Sequence, residues 1–490
     1  MKVADDEATD MVIIGSGIGG LTAAIILLKL GYRVTIVEKN PLPGGLMRSY
    51  LRKGIACPVG VHYVGSLGSG QPLQRMFDYL GVTSKISLER MGADGIIDQY
   101  IFNDFTFNLP EGIDPFEENL RQAFPQDQQQ ITLIMKNLRD IAGQMGRLEN
   151  LFSPDRDFFL RETFFASLGG LLRELNGSPG LRSVLGMTCS WIGVPLDECP
   201  VYYHHMALAS YLFSSWRCNG TKMADAFVSR TRELGGIIIT GDPVEKVLVH
   251  TRTAAGIALK SGRTIKASTV IGAIHPKTLL PLLPAGAVRP AYIDRILQLQ
   301  DTHGVFCAHF SVNAQDHKEI PYNVFKVETD ETGDIFDMVF YQLRTSEQQG
   351  VNLFTMITSI EPEAWRPWEN TRTGHRGRDY VAAKKKKADE LIRKAAMIFG
   401  PLKDIRYLDA YTHLTLRDWV HTPGGSAYGV LRSTRQLTRA AMLNRTSIQG
   451  LHLAGQSVLA PGVFGTTLGS FHTVRQIIGP DRFGREVVLS

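Results

Sequence analysis

Three glycines, Gly15, Gly17 and Gly20, stand in the spacing Gly-x-Gly-x-x-Gly, and an acid, Glu38, ends the next apolar run, "RVTIVE". These residue types in this order suit a nucleotide diphosphate. The first glycine permits a tight turn, the second lets a pyrophosphate reach the backbone, and the third lets a helix pack closely on the preceding strand. Free N–H groups at the start of that helix, where Ile18 and Gly19 stand, hold phosphate oxygens with the help of the helix dipole. A carboxylate at the end of the second strand accepts hydrogen bonds from a ribose. Lys39 follows it. A second glycine pair then comes in "KNPLPGGLMRSY", Gly44-Gly45 with Leu46 directly after, and Arg48 in that loop is a cation able to balance phosphate charge. The other reading of this loop is a Pro/Gly surface turn.

The elements that must position these groups lie on either side of them. Met11 to Ile14 form a short apolar, β-branched run suited to a buried parallel strand. Leu21 to Leu30 read as a helix with Lys29 in its last turn and Gly31 as its stop, and Arg33 to Val37 read as the second strand. From Met11 to Leu28 there is no charged residue, so a membrane span or a secretion signal competes with this reading. The glycines inside the run argue against a span, which needs about 18 or more mostly apolar residues. Asp5, Asp6, Glu7 and Asp10 make the leader acidic where a secretion signal wants it basic.

Composition narrows the class. At 490 residues the chain can bury a large core, and a prior of about 150 residues per domain suggests two to four units. The net charge of +5 is too small over this length to argue for nucleic acid, although it is compatible with peripheral contact with an anionic membrane surface. Cys57, Cys189, Cys199, Cys218 and Cys307 are odd in number, scattered and free of CxxC spacing. That pattern argues against a disulfide framework and a zinc site, and points to a reducing, cytoplasmic compartment. His204 and His205 are adjacent, and neighbours on a helix point about 100° apart, so they are expected to be structural and no metal is expected. Four consecutive lysines, Lys384 to Lys387, sit in a helical stretch and read as a solvated face, with a membrane-facing basic helix as the alternative.

Further motifs carry a family resemblance. "GSGIGG", "VEKN", "PGG" and "GVHYVG" (Gly60 to Gly65) resemble the amino-terminal signature of the FAD-dependent phytoene desaturase, carotenoid isomerase and retinol saturase group, a branch of the flavin amine oxidase-like superfamily. "GIIITGDPVEKVLV" is similar to the family's strand pair that reaches the adenine, with Val244 or Val247 as the backbone contact. "LHLAGQSVLAPGVFGTTLGSFHTVRQIIG" resembles its closing flavin segment. The resemblance implies Gly455, Gln456 and Ser457 beside the pyrophosphate and ribityl chain, and Gly462, Val463 and Phe464 beside the flavin ring. It also implies FAD as cofactor. The chain departs from the family pattern at Ser457, where some relatives carry an acid, at Cys57 and Pro58 before "GVHY", and at Leu46, where a basic residue is common.

The expected architecture is an α/β fold: a GR2-type, FAD-binding Rossmann-like βαβ fold, discontinuous in sequence, with an interleaved α+β substrate domain. The FAD-binding part is expected from 1–80, 205–285 and 435–490. The substrate part is expected from 81–204, mostly helical, and 286–434, whose alternating runs suggest an antiparallel sheet.

The resemblance implies an oxidoreductase acting on CH–CH bonds, which desaturates, saturates or isomerises a hydrophobic isoprenoid or polyene such as a carotenoid or retinoid. A flavin amine oxidase and a flavin-free prenyl-lipid escort protein on the same fold are the rivals. With a hydrocarbon substrate no catalytic triad is expected, and His62 and Tyr63 are the candidates for proton transfer or substrate placement. No second strand-GxGxxG-helix-acid unit is present for NADPH, so a quinone, oxygen or a redox partner is expected to exchange the electrons.

Overall fold

The computed structural model of the chain describes residues 7–152 and 162–488. Asp5 and Asp6 of the acidic leader lie outside the described residues. Strand β1 (Met11–Ile14) runs into helix α1 (Ile18–Lys29), which returns to strand β2 (Val34–Glu38). Later segments supply helix α2 (Gly220–Glu233) and strands β3 (Ile237–Thr240), β4 (Thr269–Gly272) and β5 (Leu451–Leu453), and helix α3 (Gly462–Ile478) comes last. The five strands form one parallel sheet in the order β3-β2-β1-β4-β5. Its strands are therefore gathered from both ends and the middle of the chain.

Layering explains the uncharged run. Every residue of α1 from Gly19 to Leu28 is buried, because the helix lies against the sheet between α2 and α3. On β1, Met11 and Ile13 face this helix layer, while Val12 and Ile14 face the opposite side, where the antiparallel strands Val244–His250 and Thr253–Leu259 pack. A strand covered on both faces needs apolar residues at every position, and each buried aliphatic side chain contributes about 1.5–3 kcal/mol. The same pressure makes α1 apolar on all sides. The helix starts at Ile18, three residues before the expected Leu21.

A second, seven-stranded sheet stands against the mouth of the first. Its order is Arg406–Tyr411, Val305–Asn313, Val351–Ser359, Ile335–Thr345, Asn323–Thr329, Asp98–Ile101 and Thr106–Leu109. All neighbours are antiparallel except Asn323–Thr329 with Asp98–Ile101. The sheet thus takes two strands from the stretch expected to be mostly helical. One face packs on helix Gly377–Phe399, and the other faces a cluster built from helices that include Gln128–Met145, Pro179–Ile192 and Val201–Phe213. Helix Val201–Phe213 runs across the expected segment limit at 204/205.

One expectation about side chains changes on this scaffold. His204 and His205 do meet, with their Nδ1 atoms 3.1 Å apart, because rotation about the side-chain bonds closes the angle between their Cβ directions. Each Nε2 then reaches a carbonyl of a neighbouring helix, Leu185 for His204 and Ile134 for His205, so the pair ties three helices together. In the lysine run, Lys384 pairs with Asp409, Lys385 with Asp389 and Lys387 with Glu390. Among the described residues no helix is long and apolar enough to cross a membrane.

Candidate functional site

The carboxyl ends of the parallel strands open into a cavity of about 550 Å³, the size of a small-molecule site and the place where open α/β sheets bind ligands. Ile14 and Gly15 reach it from β1, Val37 and Glu38 from β2, Ala273 from β4 and Ala454 from β5. Its opposite wall is made by Val305, Ile357 and Tyr411 of the seven-stranded sheet.

Two helix amino termini point into this one space. Gly17, Ile18 and Gly19 at the start of α1, and Gly462, Val463 and Thr466 at the start of α3, all line the cavity. Neither helix has a side-chain cap, and neither carries an acid in its first turn. Uncapped N–H groups and the positive dipole ends are thereby left for a polar, electron-rich ligand. The glycines divide the labour as their spacing suggests. A Cβ built on Gly17 meets nothing within 4 Å and projects into the open cavity. A Cβ on Gly20 would stand 2.1 Å from the Gly15 carbonyl oxygen, so Gly20 serves the close packing of α1 on β1 and does not line the cavity. Gly45 brings the second glycine loop against Gly17, where a Cβ would come within 3.0 Å of the Gly17 Cα.

Glu38 is 6% exposed and lines the cavity, but its carboxylate is already engaged. Oε2 accepts from the Ser16 backbone N–H at 3.0 Å and from the Ser16 hydroxyl at 2.7 Å, and Oε1 accepts from the Asn40 N–H at 2.9 Å. The acid therefore clamps the end of β2 to the glycine loop, with Oε1 retaining acceptor capacity. Lys39, Gly44, Leu46, Val244, Gly455, Gln456 and Ser457 line the same cavity. Three of the expected contacts fall elsewhere, and Gly20 takes the packing role its place in the spacing predicts. Arg48 donates to the Pro43 carbonyl and pairs with Asp225 at 2.7 Å, because the turn at Gly44-Gly45 directs it to α2. Val247 is fully buried between the sheets, leaving Val244 as the strand residue at the cavity. Phe464, in the first turn of α3, packs against buried side chains of both core clusters and does not line the cavity.

His62 and Tyr63 stand where the glycine-loop side of the cavity meets the seven-stranded sheet. The His62 ring sits edge-on to Phe340, with centroids 5.7 Å apart, and neither ring nitrogen makes a well-formed hydrogen bond. Burial, with the Arg344 charge adding to it, pushes its pKa down to about 3, so the imidazole is neutral across the physiological range. Burial likewise holds the Tyr63 phenol protonated. The Tyr63 ring lies 5.1 Å from Tyr211, whose hydroxyl donates to Asp98 at 2.8 Å. Asp98 is fully buried and also accepts from Asn323 at 2.9 Å and Tyr100 at 3.3 Å. Burial outweighs these donors and pushes its pKa up to about 8. All five cysteines are buried, and burial pushes the Cys57 and Cys218 thiols up to about 12, which leaves them unreactive.

Several site residues escaped the motif reading. Ser16 occupies a variable position of the glycine loop, yet it is what Glu38 holds. Trp419 and His421 reach the cavity from helix His413–Val420 and the turn after it, and Trp419 is bonded to Asn40 across 379 positions of sequence. Asp98, a lone acid in its strand, stands behind the cavity and meets it only through Tyr211 and Tyr63. No local spacing marks any of these.

The family model for flavin containing amine oxidoreductases matches residues 18–470. The chain belongs to that family. It is therefore a flavin-dependent oxidoreductase, and the uncapped helix ends and the space beside Gly17 fit such a group. Among curated proteins, all-trans-retinol 13,14-reductase of Danio rerio is 24% identical over 95% of this chain and 85% of its own length. Prolycopene isomerase 2 of an Oncidium hybrid cultivar is 24% identical over 93% of this chain and 81% of its own. Among solved structures, putrescine oxidase bound to putrescine superposes with a TM-score of 0.67 at 18% identity, covering 96% of this chain and 99% of the other. That likeness concerns the fold.

Proposed function

We propose that the protein is an FAD-dependent oxidoreductase that desaturates, saturates or isomerises carbon–carbon bonds of a hydrophobic isoprenoid such as a carotenoid or retinoid. The observation that carries this reading is the charge of the cavity wall. Glu38 is the only carboxylate lining it among the described residues, and Glu38 is engaged at the nucleotide end. A cationic amine would find no counter-charge by Val305, Ile357, Leu416 and Tyr428, whereas an uncharged polyene needs none. The names of the retinol and prolycopene relatives support the same substrate class.

When bound, the flavin supplies a group that accepts or donates hydride. The chain's share is binding, orientation and exclusion of water. Gly17, Ile18 and Gly19 would hold the diphosphate through backbone N–H groups, Gly15, whose own N–H is bonded to the Val37 carbonyl at 2.8 Å, would make the turn beneath it, and Gly44, Gly45 and Leu46 would close over it. Lys39 and Glu38 would face the ribose, and Val244 the adenine. Gly455, Gln456 and Ser457 would follow the ribityl chain, and Gly462 and Val463 the ring. His62, neutral, and Tyr63, protonated, would position the substrate from the side of the seven-stranded sheet. A quinone, oxygen or a redox partner would complete electron exchange.

Anaerobic incubation of the oxidised and the reduced protein with retinol, phytoene and lycopene, followed by chromatography, tests this reading. A changed polyene is the expected result. Unchanged polyenes together with peroxide formation from amines would overturn it.

A further inference from the structure

The nucleotide end of the cavity is closed by a segment that belongs to the other half of the molecule. Trp419 and Val420 end helix His413–Val420, which follows strand Arg406–Tyr411 at the edge of the seven-stranded sheet, and both line the cavity with Glu38, Pro243 and Val244. The segment is fastened there from the nucleotide side. Asn40 donates to the Trp419 carbonyl at 3.1 Å, Lys39 to the Asp418 carbonyl at 2.9 Å, and the Thr278 hydroxyl to the His421 carbonyl at 2.8 Å. From the other side, Arg376 pairs with the Asp418 carboxylate, which also accepts from the Thr373 N–H at 2.7 Å. The backbone is thus pinned on both flanks while the indole is left 50% exposed. Of the five tryptophans it alone is exposed. A rigidly mounted, half-uncovered indole at the rim of a ligand cavity offers a flat apolar face that no described residue fully covers.

We infer that Trp419 is the stacking platform for the purine of the bound dinucleotide. This rests on the FAD reading above and deepens it: the residues beside the indole are a carboxylate suited to ribose hydroxyls and the strand start at Val244, which together define a nucleoside pocket. The helix carrying Trp419 comes from the substrate half, so the purine is held by both halves of the molecule. Stacking of a base on an aromatic side chain changes affinity by about 5- to 150-fold when the ring is cut to alanine.

The test uses flavin-stripped protein and tryptophan fluorescence, with ADP and riboflavin as separate probes. ADP is expected to alter the emission of the wild type, and Trp419→Phe is expected to abolish that change while keeping ADP affinity within a few-fold. Trp419→Ala is expected to weaken ADP and FAD by about 5- to 150-fold and leave riboflavin binding and the melting temperature of the stripped protein unchanged. An ADP-dependent emission change that survives in Trp419→Phe, or wild-type ADP affinity in Trp419→Ala, overturns the assignment while leaving the FAD reading intact. Riboflavin weakened in place of ADP places the ring system at this end and also overturns it. A wild-type protein that binds neither FAD nor ADP removes both readings together.

Discussion

Replacing Gly17 and Gly20 by alanine, one at a time, separates the two jobs that glycines do in this loop. Gly17 has φ −62° and ψ 173°, backbone values open to any residue, and the added methyl meets nothing within 4 Å. Stiffening of the unfolded chain favours the substitution by about 0.4–1 kcal/mol, but Gly17 is the N-cap of α1, where alanine is disfavoured by a similar amount, so the stability of the flavin-free protein is expected to stay within about 1 kcal/mol of wild type. The same methyl occupies the space through which a diphosphate approaches the α1 amide groups. Forcing one extra carbon into a filled site costs about 1–3 kcal/mol, which at 1.4 kcal/mol per decade is a roughly 5- to 150-fold loss of FAD affinity. Gly20→Ala does the reverse. Its methyl lies 2.1 Å from the Gly15 carbonyl oxygen and 3.1 Å from the Ala273 Cβ, so β1 and α1 must separate, and the flavin-free protein itself should lose at least about 1–3 kcal/mol. Urea unfolding of the stripped proteins gives the stabilities, and calorimetric titration with FAD gives the affinities. Wild-type FAD affinity in Gly17→Ala, or wild-type stability in Gly20→Ala, would refute this division of labour.

Three more outcomes can be checked. Glu38→Ala leaves the Ser16 and Asn40 N–H groups without their acceptor, so urea unfolding of the stripped protein should show a loss of about 2–4 kcal/mol in addition to weaker FAD binding; weaker binding with no loss of stability would mean that the acid serves the ribose alone. The Asp98 pKa, about 8 when folded against 3.8 as the ordinary value, means that its contribution to stability is fully present below about pH 4 and is lost as pH rises through about 8. Asp98→Asn stays neutral, so its stability should gain on the wild type across that window by on the order of a few kcal/mol, and parallel pH curves for the two proteins would contradict this. His62, with its pKa near 3, should give no limb near pH 6.5 in the rate profile; such a limb, present in the wild type and absent in His62→Gln, would show that the imidazole titrates during turnover.

Legibility in the sequence followed the range of the interactions. The βαβ unit was readable because one continuous stretch, Met11 to Glu38, holds strand, turn, helix and acid, and each residue type answers a local demand. The closing segment was readable as one continuous motif, although its helix takes in Gly462, Gly465 and Gly469 rather than following them. What the sequence hid depends on pairing between distant strands. Asp98–Ile101 and Thr106–Leu109 sit in a helical stretch and become strands because the edge at Asn323–Thr329 is available to them. Arg48 looked like a phosphate ligand, but its direction is set by a turn that leads to Asp225, 177 positions away. Trp419 is one apolar residue in a short helix until the fold carries it to Asn40. The His204–His205 contact shows a further limit, since helical periodicity fixes where Cβ atoms point but not where long rings end.

The proposed function requires that one cavity take a single extended flavin dinucleotide between the α1 and α3 amino termini. Heat-denaturing the purified protein and identifying the released chromophore by absorbance and mass tests this directly. One FAD per 54.3 kDa chain is the predicted result. A colourless protein that added FAD cannot restore, or release of FMN in its place, would contradict it.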